Sequence, residues 1–213
     1  MPKKPALSPQ SPGSNSGSVF VVSAPSGAGK TTLCKALLEA SPDLQLSVSY
    51  TTRPMRAGEK DGVDYHFVDI ADFEKRIEEG EFAEWARVHG NYYGTSIRRL
   101  EEMSRSGKDI LLDIDYQGAA QLKKCLDNGV YIFIMPPDFA VLQQRLEKRN
   151  SDPEEVIIRR IENARQEVLE AKWYDYIVVN DNFDFALQQL KAILSAESCR
   201  TTLILPAMQD MLN

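Results

Sequence analysis

A glycine-rich segment near the start of the chain lies between an apolar run and a helix-like stretch. Residues 24–31 read A-P-S-G-A-G-K-T, and the apolar run V-F-V-V-S at 19–23 directly precedes them. Glycines let backbone N–H groups turn toward an anion without a Cβ in the way, and the N-terminus of the following helix presents its positive dipole end to that anion. The segment therefore predicts a phosphate-binding loop, in which Lys30 reaches the β- and γ-phosphates of a nucleotide and the Thr31 hydroxyl ligates Mg²⁺.

The loop departs from the usual pattern at one position. The pattern G-x-x-x-x-G-K-[ST] begins with glycine, whereas this chain has Ala24. Alanine costs little unless the position needs a positive φ, so we interpret the segment as a variant of the loop. The alternative is a flexible turn that joins two core elements.

Length and composition restrict the function classes. With 213 residues the chain is long enough for one main domain with a sizeable core. Its net charge of −6 argues against nucleic-acid binding, which needs a broad basic surface. No apolar stretch reaches the roughly 18 to 20 residues that span a bilayer, and the N-terminus lacks an apolar signal core, so we expect a cytoplasmic protein without membrane contact. Cys34, Cys125 and Cys199 match neither a zinc pattern nor a disulfide framework, which favours reduced thiols.

Apolar runs of strand length alternate along the chain with segments that have apolar residues at helical spacing. The predicted strands are residues 19–23, 109–113, 130–135 and 176–180, and the predicted helices are residues 117–125, 138–148, 154–171 and 183–196. Such alternation predicts an α/β fold with a parallel sheet covered by helices on both faces. Ligands of such folds bind at the carboxyl ends of the strands, where the predicted loop lies.

One stretch, residues 51–94, breaks this alternation. It is rich in glycine and in short aromatic segments, with one helical stretch at 72–79. It predicts an inserted subdomain within a core formed by residues 19–50 and 95–198. A polar turn between two arginine-bearing helices predicts a mobile lid at 140–165.

The two ends of the chain differ in composition from the core. Residues 1–18 are rich in Pro, Ser and Gly and cannot bury enough apolar surface to become ordered, so we expect a disordered tail. The C-terminal tail, residues 199–213, has apolar residues at 203–205 but is interrupted by Pro206. We expect it either to add an edge strand or to pack loosely.

Two acidic residues end the predicted strand at 109–113. Because side chains alternate along a strand, Asp113 and Asp115 are expected to share one face at its carboxyl end. An acid in that place orients Mg²⁺ in phosphate-loop enzymes, directly or through water, and we assign this role to Asp113. The alternative is that both acids only solvate the end of the strand.

Two arginines lie three residues apart in a proline-bearing loop. Arg53 and Arg56 can bind a phosphate bidentately, and the hydroxyl of Tyr65 would help to fix it. Such a site accepts a monophosphate. The alternative is a solvated arginine pair on the surface.

Several motifs occur together in an order that goes beyond a phosphate-binding loop. They are A-P-S-G-A-G-K-T, S-x-T-T-R-P-x-R, D-Y-H-F, E-F-x-E-W-A, N-Y-Y-G-T and D-I-D-x-Q-G. In this order and spacing, across residues 19–196, the chain closely resembles guanylate kinases, the nucleoside monophosphate kinases that phosphorylate GMP. The resemblance implies a P-loop NTPase-type fold with a GMP-binding subdomain and a lid. It also implies a role in purine nucleotide metabolism, with Mg²⁺-dependent transfer of the ATP γ-phosphoryl group to GMP and to dGMP.

The resemblance implies an acceptor site. The GMP phosphate would be held by Arg53, Arg56, Tyr65 and Tyr93, and the guanine base by Ser49, Glu84 and Thr95, with Asp115 nearby. An ionised carboxylate at Glu84 only accepts hydrogen bonds, and guanine offers N1–H and its exocyclic amine as adjacent donors, whereas adenine does not. The alternative for Glu84 alone is a surface acid on a strand.

The resemblance also implies a donor site. The ATP phosphates would lie on the loop formed by Ala24, Pro25, Ser26, Gly27, Ala28, Gly29, Lys30, Thr31 and Thr32, and Asn180 would lie near the adenine ring. Arg145, Arg149 and Arg160 would close over the transferring phosphoryl group, where they act as catalytic residues together with Lys30 and Arg53. The alternative for these three arginines is charge on the surface of a helix.

Two other functions are weighed against the kinase. Guanylate-kinase-like domains also occur in scaffold proteins, where the former GMP site binds phosphorylated peptide segments, but such domains commonly have degraded phosphate loops. A different small-molecule kinase would keep Lys30 but has no reason to retain Glu84 with Ser49. The sequence leaves the oligomeric state open.

Overall fold

Five parallel strands form the main sheet of the protein. A computed structural model describes residues 17–88, 90–126, 128–148, 153–208 and 211 of the chain. The elements follow one another as β1 (Val19–Ser23), α1 (Lys30–Ala40), β2 (Leu44–Leu46), β3 (Tyr50–Thr51), β4 (His66–Phe67), α2 (Ile70–Glu78), β5 (Phe82–Val88), β6 (Asn91–Ser96), α3 (Ile97–Ser104), β7 (Asp109–Asp113), α4 (Tyr116–Leu122), β8 (Val130–Met135), α5 (Phe139–Lys148), α6 (Glu154–Glu167), a 3₁₀ helix (Val168–Trp173), β9 (Tyr176–Val179), α7 (Phe183–Ser198) and α8 (Thr201–Ala207). The strand order in the main sheet is β2-β7-β1-β8-β9.

The predicted parallel sheet is confirmed. Each neighbouring pair in this sheet is parallel, and β1 lies between β7 and β8. All five residues of β1 are buried because helices cover both faces of the sheet. In the register of β1 with β7, Val22 lies opposite Asp113, which brings the start of the predicted loop beside the acidic end of β7.

Two apolar layers cover the main sheet. On one face, Leu33 and Leu37 of α1 and Leu190 of α7 are fully buried in one core cluster. On the other face, a second cluster includes Leu122 of α4 and Phe133 of β8, both fully buried. These layers fix the helices that follow β1 and β7, and their N-termini lie at the carboxyl edge of the sheet.

A second, four-stranded sheet is formed by residues 50–96, in the order β4-β3-β6-β5. Its aromatic residues pack against α2, where the buried Phe73 stacks on Phe82 at 4.5 Å and on Tyr92 at 5.2 Å between ring centroids. The register of β5 against β6 shifts between Phe82 and Glu84. A shift of this kind re-aims the side chains of a strand, and it leaves Glu84 directly opposite Thr95.

The edge strand, one of two alternatives expected for the C-terminal segment, does not form in residues 201–207. This segment forms the helix α8, because the backbone N–H groups of Leu203 and Ile204 both donate to the carbonyl of Arg200. Pro206 lies in the last turn of this short helix, so its missing N–H removes only one helical hydrogen bond. The apolar residues at 203–205 remain about two-fifths exposed.

Two further expectations need qualification at the ends of β1 and β7. Residues 1–16 of the predicted disordered tail lie outside the described residues, but Ser18 is held by the sheet, since its N–H donates to Asp109 Oδ1 at 2.8 Å. Asp115 does not continue strand β7. It caps helix α4, where its Oδ1 accepts the N–H of Gly118 at 3.0 Å.

Among the described residues, no helix has the length and apolar character needed to cross a membrane.

Candidate functional site

The glycine-rich segment leads from β1 into α1, as a phosphate-binding loop requires. Gly27 and Gly29 both have φ near 91°, a conformation that favours glycine. Gly29 is the N-cap of α1, and no described side chain caps this helix, so its first N–H groups face an anion site. Ala24, the variant first residue, packs against the core cluster beneath the loop.

Lys30 and Asp113 meet at the carboxyl edge of the main sheet. Lys30 Nζ lies 2.6 Å from Asp113 Oδ1 and donates to the Ile114 carbonyl at 2.6 Å. Burial, the largest single influence, lowers the pKa of Lys30, but the charge and hydrogen bond of Asp113, together with Cys34 and Tyr65, raise the pKa above its usual value. Thr31, next along the chain, lies exposed in the first turn of α1.

A cleft of about 570 Å³ includes Lys30 in its lining. Its walls are formed by the phosphate-binding loop, the N-terminal end of α4, the end of β5 and residues of α6. The lining residues are Ala24, Pro25, Ser26, Gly27, Gly29, Lys30, Thr31, Thr32, Arg87, Val88, Asp115, Tyr116, Gln117, Asn163, Gln166 and Glu167. The volume is typical of a small-molecule site.

Glu84 and Thr95 form a buried pair in the second sheet. Glu84 is only 3% exposed, and its Oε1 accepts the Thr95 hydroxyl at 2.5 Å. Burial raises the pKa of Glu84 to about 7, and the hydrogen bond from Thr95 opposes this shift. Ser49, also buried, lies just before β3 of the same sheet. Asp115 Oδ1 and Glu84 Oε2 both lie beside Gly118, and the negative charge of Asp115 also raises the Glu84 pKa.

Arg53, Tyr65 and Tyr93 form a polar cluster in and beside the same sheet, where Tyr93 lies on β6 and the other two lie next to strands. The Arg53 guanidinium lies 5.4 Å from the centroid of the Tyr65 ring, and the rings of Tyr65 and Tyr93 lie 5.9 Å apart. Arg53 is held by Glu59, which lies 2.7 Å from its Nη2 and raises its pKa. The backbone N–H of Arg56 donates to the same carboxylate at 2.8 Å, while its side chain is exposed.

Tyr65 immediately precedes β4 of the second sheet. Burial raises its pKa to about 12, and the charges of Asp113, Lys30, Tyr93 and Arg53 also act on that pKa. Tyr65 of the arginine cluster is therefore near enough to Lys30 and Asp113 for their charges to influence its hydroxyl.

Asn180 and Arg145 brace the phosphate-binding loop. Asn180 is buried, and its Nδ2 donates to the Ala28 carbonyl at 2.7 Å. A Cβ at Gly29 would lie 2.5 Å from that nitrogen. Arg145 Nη2 donates to the Asn180 carbonyl at 2.9 Å, whereas its buried Nη1 has no hydrogen-bond partner among the described residues.

The remaining predicted arginines lie in or beside the predicted lid. Arg160 is on α6, the helix whose residues Asn163, Gln166 and Glu167 line the cleft. Arg149 lies outside the described residues. The structure thus brings together the loop, Asp113 and Asp115, and on the facing side Glu84, Thr95, Arg53, Tyr65 and Tyr93.

Comparison with known proteins identifies this arrangement. A family model described as guanylate kinase matches residues 16–197 of the chain. The chain belongs to the guanylate kinase family. A guanylate kinase of Geobacter metallireducens is 54% identical over 91% of this chain and 96% of its own length. A guanylate kinase of Carboxydothermus hydrogenoformans is 46% identical over 86% of this chain and 90% of its own.

A solved structure agrees with this assignment. The crystal structure of guanylate kinase from Anaplasma phagocytophilum superimposes with a TM-score of 0.74 at 36% identity, covering 88% of this chain and 89% of that one. The P-loop NTPase-type α/β fold expected of a guanylate kinase is therefore confirmed. The roles of individual residues in this member of the guanylate kinase family rest on the geometry above.

Sequence reasoning missed three residues that contact the site of this guanylate kinase family member. Glu59 pairs with Arg53, and Gly118 and Gln121 of α4 contact the strand that holds Glu84. Glu59 follows Arg56 by three residues, a spacing that fits a turn but does not reveal a partner. The motif D-I-D-x-Q-G contains Gly118, yet nothing in the sequence shows which side chain lies against it.

Proposed function

We propose that this protein catalyses Mg²⁺-dependent transfer of the γ-phosphoryl group of ATP to GMP, and also to dGMP. The observation that carries the proposal is the buried carboxylate of Glu84, held by Thr95 on the side of the site that faces the phosphate-binding loop. Family membership makes the chain a kinase of the guanylate kinase type. Its substrates also suggest a cytoplasmic location and a role in purine nucleotide metabolism.

Glu84 accounts for the choice of guanine. The ionised carboxylate accepts hydrogen bonds from guanine N1–H and from the exocyclic amine. Adenine would present a lone pair at N1 and no amine at C2, which leaves a buried carboxylate unpaired. A polar site left unpaired in this way can reject an analogue by roughly 10⁴-fold. Ser49 and Thr95 are also buried, with Thr95 directly opposite Glu84, and both would complete the contacts to the base.

The arginine cluster would hold the acceptor phosphate. Arg53 donates through a planar guanidinium, and the hydroxyls of Tyr65 and Tyr93 add two further donors. Arg56 has an exposed side chain that is available to the same phosphate. Because Arg53 lies 5.4 Å from the Tyr65 ring and the charge of Lys30 also acts on the pKa of Tyr65, we place the acceptor phosphate toward the γ-phosphate of ATP.

The loop residues at 24–32 would bind the ATP phosphates through their N–H groups and Lys30. The transition state of phosphoryl transfer is loose, with charge spread over equatorial oxygens, so alignment and positive charge supply most of the catalysis. Arg145 has a buried donor with no partner among the described residues, and Arg160 lies on the helix beside the cleft. We assign both to the transferring phosphoryl group, together with Arg149. Asn180, predicted to lie near the adenine ring, would contact the adenine and would also hold the loop through its hydrogen bond to the Ala28 carbonyl.

The donor groups at the loop fit Mg²⁺. Thr31 offers a hydroxyl oxygen and Asp113 a carboxylate oxygen, and Mg²⁺ prefers a few such oxygens together with water and substrate phosphates. When bound, the ion neutralises charge on the phosphate oxygens. In this structure Asp113 pairs with Lys30, so the same carboxylate also holds the lysine at the phosphate end of the cleft.

A coupled assay of ADP formation tests the proposal. GMP, dGMP, AMP and CMP are each offered with ATP and Mg²⁺ to the parent and to Glu84→Gln. We expect turnover of GMP and dGMP by the parent, with little turnover of AMP and CMP. Robust AMP turnover in place of GMP would contradict the role of Glu84, and no turnover of any monophosphate together with phosphopeptide binding would favour the scaffold function.

A further inference from the structure

We propose that helix α4 positions the base-reading carboxylate of Glu84 through Gly118 and Gln121. This inference rests on the proposed function and deepens it, since it assigns two residues that set the specificity of the acceptor site. Gly118 and Gln121 are three residues apart and therefore share one face of the helix. That face packs against strand β5, which contains Glu84.

Gly118 leaves the space that Glu84 occupies. A Cβ at this position would overlap Glu84 Oε2 and would lie 2.8 Å from Cδ of the same side chain. Gly118 is buried in the first turn of α4, and its backbone conformation is one that any residue can adopt. Alanine is the better helix former, so the local structure favours alanine and only the contact with Glu84 requires glycine.

Gln121 fixes the position of strand β5 along helix α4. Its Oε1 accepts the N–H of Trp85 at 3.3 Å, and its Nε2 donates to the Trp85 carbonyl at 2.7 Å. β5 is an edge strand of the second sheet, so these backbone groups have no neighbouring strand on that side. The side-chain amide thus takes the place of a paired strand, one residue away from Glu84.

The two contacts act in different directions. Gly118 lets the carboxylate approach the helix, and Gln121 prevents strand β5 from sliding along it. A carboxylate that must meet two donors on one base tolerates an error of only about 0.5 Å. Both residues are therefore positioning residues, and their loss should weaken GMP recognition without weakening ATP binding.

A double-mutant cycle tests the role of Gly118. Gly118→Ala is measured alone and together with Glu84→Asp, which withdraws the carboxylate by one methylene. We expect Gly118→Ala to lower kcat/KM for GMP by on the order of 10²-fold and to narrow the preference for GMP over AMP, with KM for ATP unchanged. In the Glu84→Asp background the same substitution should cost less than about tenfold, because the overlap is relieved. An equal loss in both backgrounds would overturn the assignment of Gly118.

Gln121→Glu provides an independent test that also holds if Gly118→Ala fails to fold. It keeps the shape of the side chain but replaces the donor to Trp85 with an acceptor. Gln188→Glu is the matched control, because Gln188 is exposed on α7. We expect Gln121→Glu to raise KM for GMP by about tenfold while KM for ATP and the control stay at parent values. Equal changes in both KM values would mean a general structural role and would overturn the inference.

The outcomes distinguish a failure of the proposed function from a failure of the positioning role of α4. A parent protein that does not phosphorylate GMP would refute the proposed function itself. A parent that phosphorylates GMP, with variants whose KM for GMP and base preference do not change, would overturn only the positioning role of α4.

Discussion

The burial of Glu84 links base recognition to the stability of the fold. The side chain is 3% exposed, and burial raises its pKa from 4.5 to about 7. In the unfolded chain this carboxyl loses its proton near its ordinary value, whereas the folded protein retains it to higher pH. The folded state therefore binds more protons in this window, and the free energy of unfolding should fall as the pH rises through it.

The size of this effect follows from the pKa. Each pKa unit corresponds to 1.36 kcal/mol, so the ionised Glu84 should cost the fold about 3 kcal/mol at pH 8. Glu84→Gln removes the titrating group. The difference in free energy of unfolding between Glu84→Gln and the parent should therefore shift by about 3 kcal/mol in favour of the variant between pH 4 and pH 8. Most of this shift should occur below pH 7, where the parent loses stability. The same ionisation should control recognition, so kcat/KM for GMP in the parent should fall about tenfold per pH unit below pH 7.

The assay is urea unfolding, followed by circular dichroism, at several pH values between 4 and 8.5. The parent is compared with Glu84→Gln and with Glu78→Gln, which changes an exposed glutamate at the end of α2. Only Glu84→Gln should show a pH-dependent difference from the parent. A difference that stays constant with pH would refute the reasoning, because it would mean that the buried carboxylate does not titrate in this range.

Three further predictions concern the groups around the two phosphate sites. Lys30→Ala should retain the fold by circular dichroism and lose on the order of 10²- to 10³-fold in turnover, and unchanged turnover would mean that the loop does not bind ATP. Glu59→Gln should raise KM for GMP several-fold while KM for ATP stays constant, because the Glu59 carboxylate holds Arg53 at 2.7 Å; a lower KM for GMP would show instead that Glu59 competes with the substrate phosphate. Asn180→Ala should weaken ATP binding by about tenfold in calorimetry, since the Ala28 carbonyl would lose its buried donor, and unaltered ATP affinity would contradict a bracing role.

Local sequence patterns predicted the three central strands of the main sheet because these strands are buried on both faces. β1, β7 and β8 read as continuous apolar runs, and each was placed within one residue of its observed bounds. The C-terminal segment was less predictable. Three apolar residues before Pro206 fit a strand as well as a short helix, and the hydrogen bonds to Arg200 decide in favour of the helix.

The motifs likewise predicted two kinds of site, because a phosphate-binding loop and an arginine pair require particular residue types at short spacing. Asp115 shows the limit of such reasoning, since alternation along a strand placed it on β7 whereas it caps α4. The residue types alone do not specify whether the chain still runs along the strand at Asp115 or has already turned to begin helix α4.

The amino-acid sequence by itself determined the loop at 24–31, the parallel strands and the family. Each of these depends on residues that are neighbours along the chain or on motifs in a fixed order. Tertiary structure alone decided that Gly118 and Gln121 lie against the strand of Glu84, and that Asn180 braces the loop. These contacts join residues 34 to 152 positions apart, and only the packing of α4 and β9 against their neighbours brings such residues together.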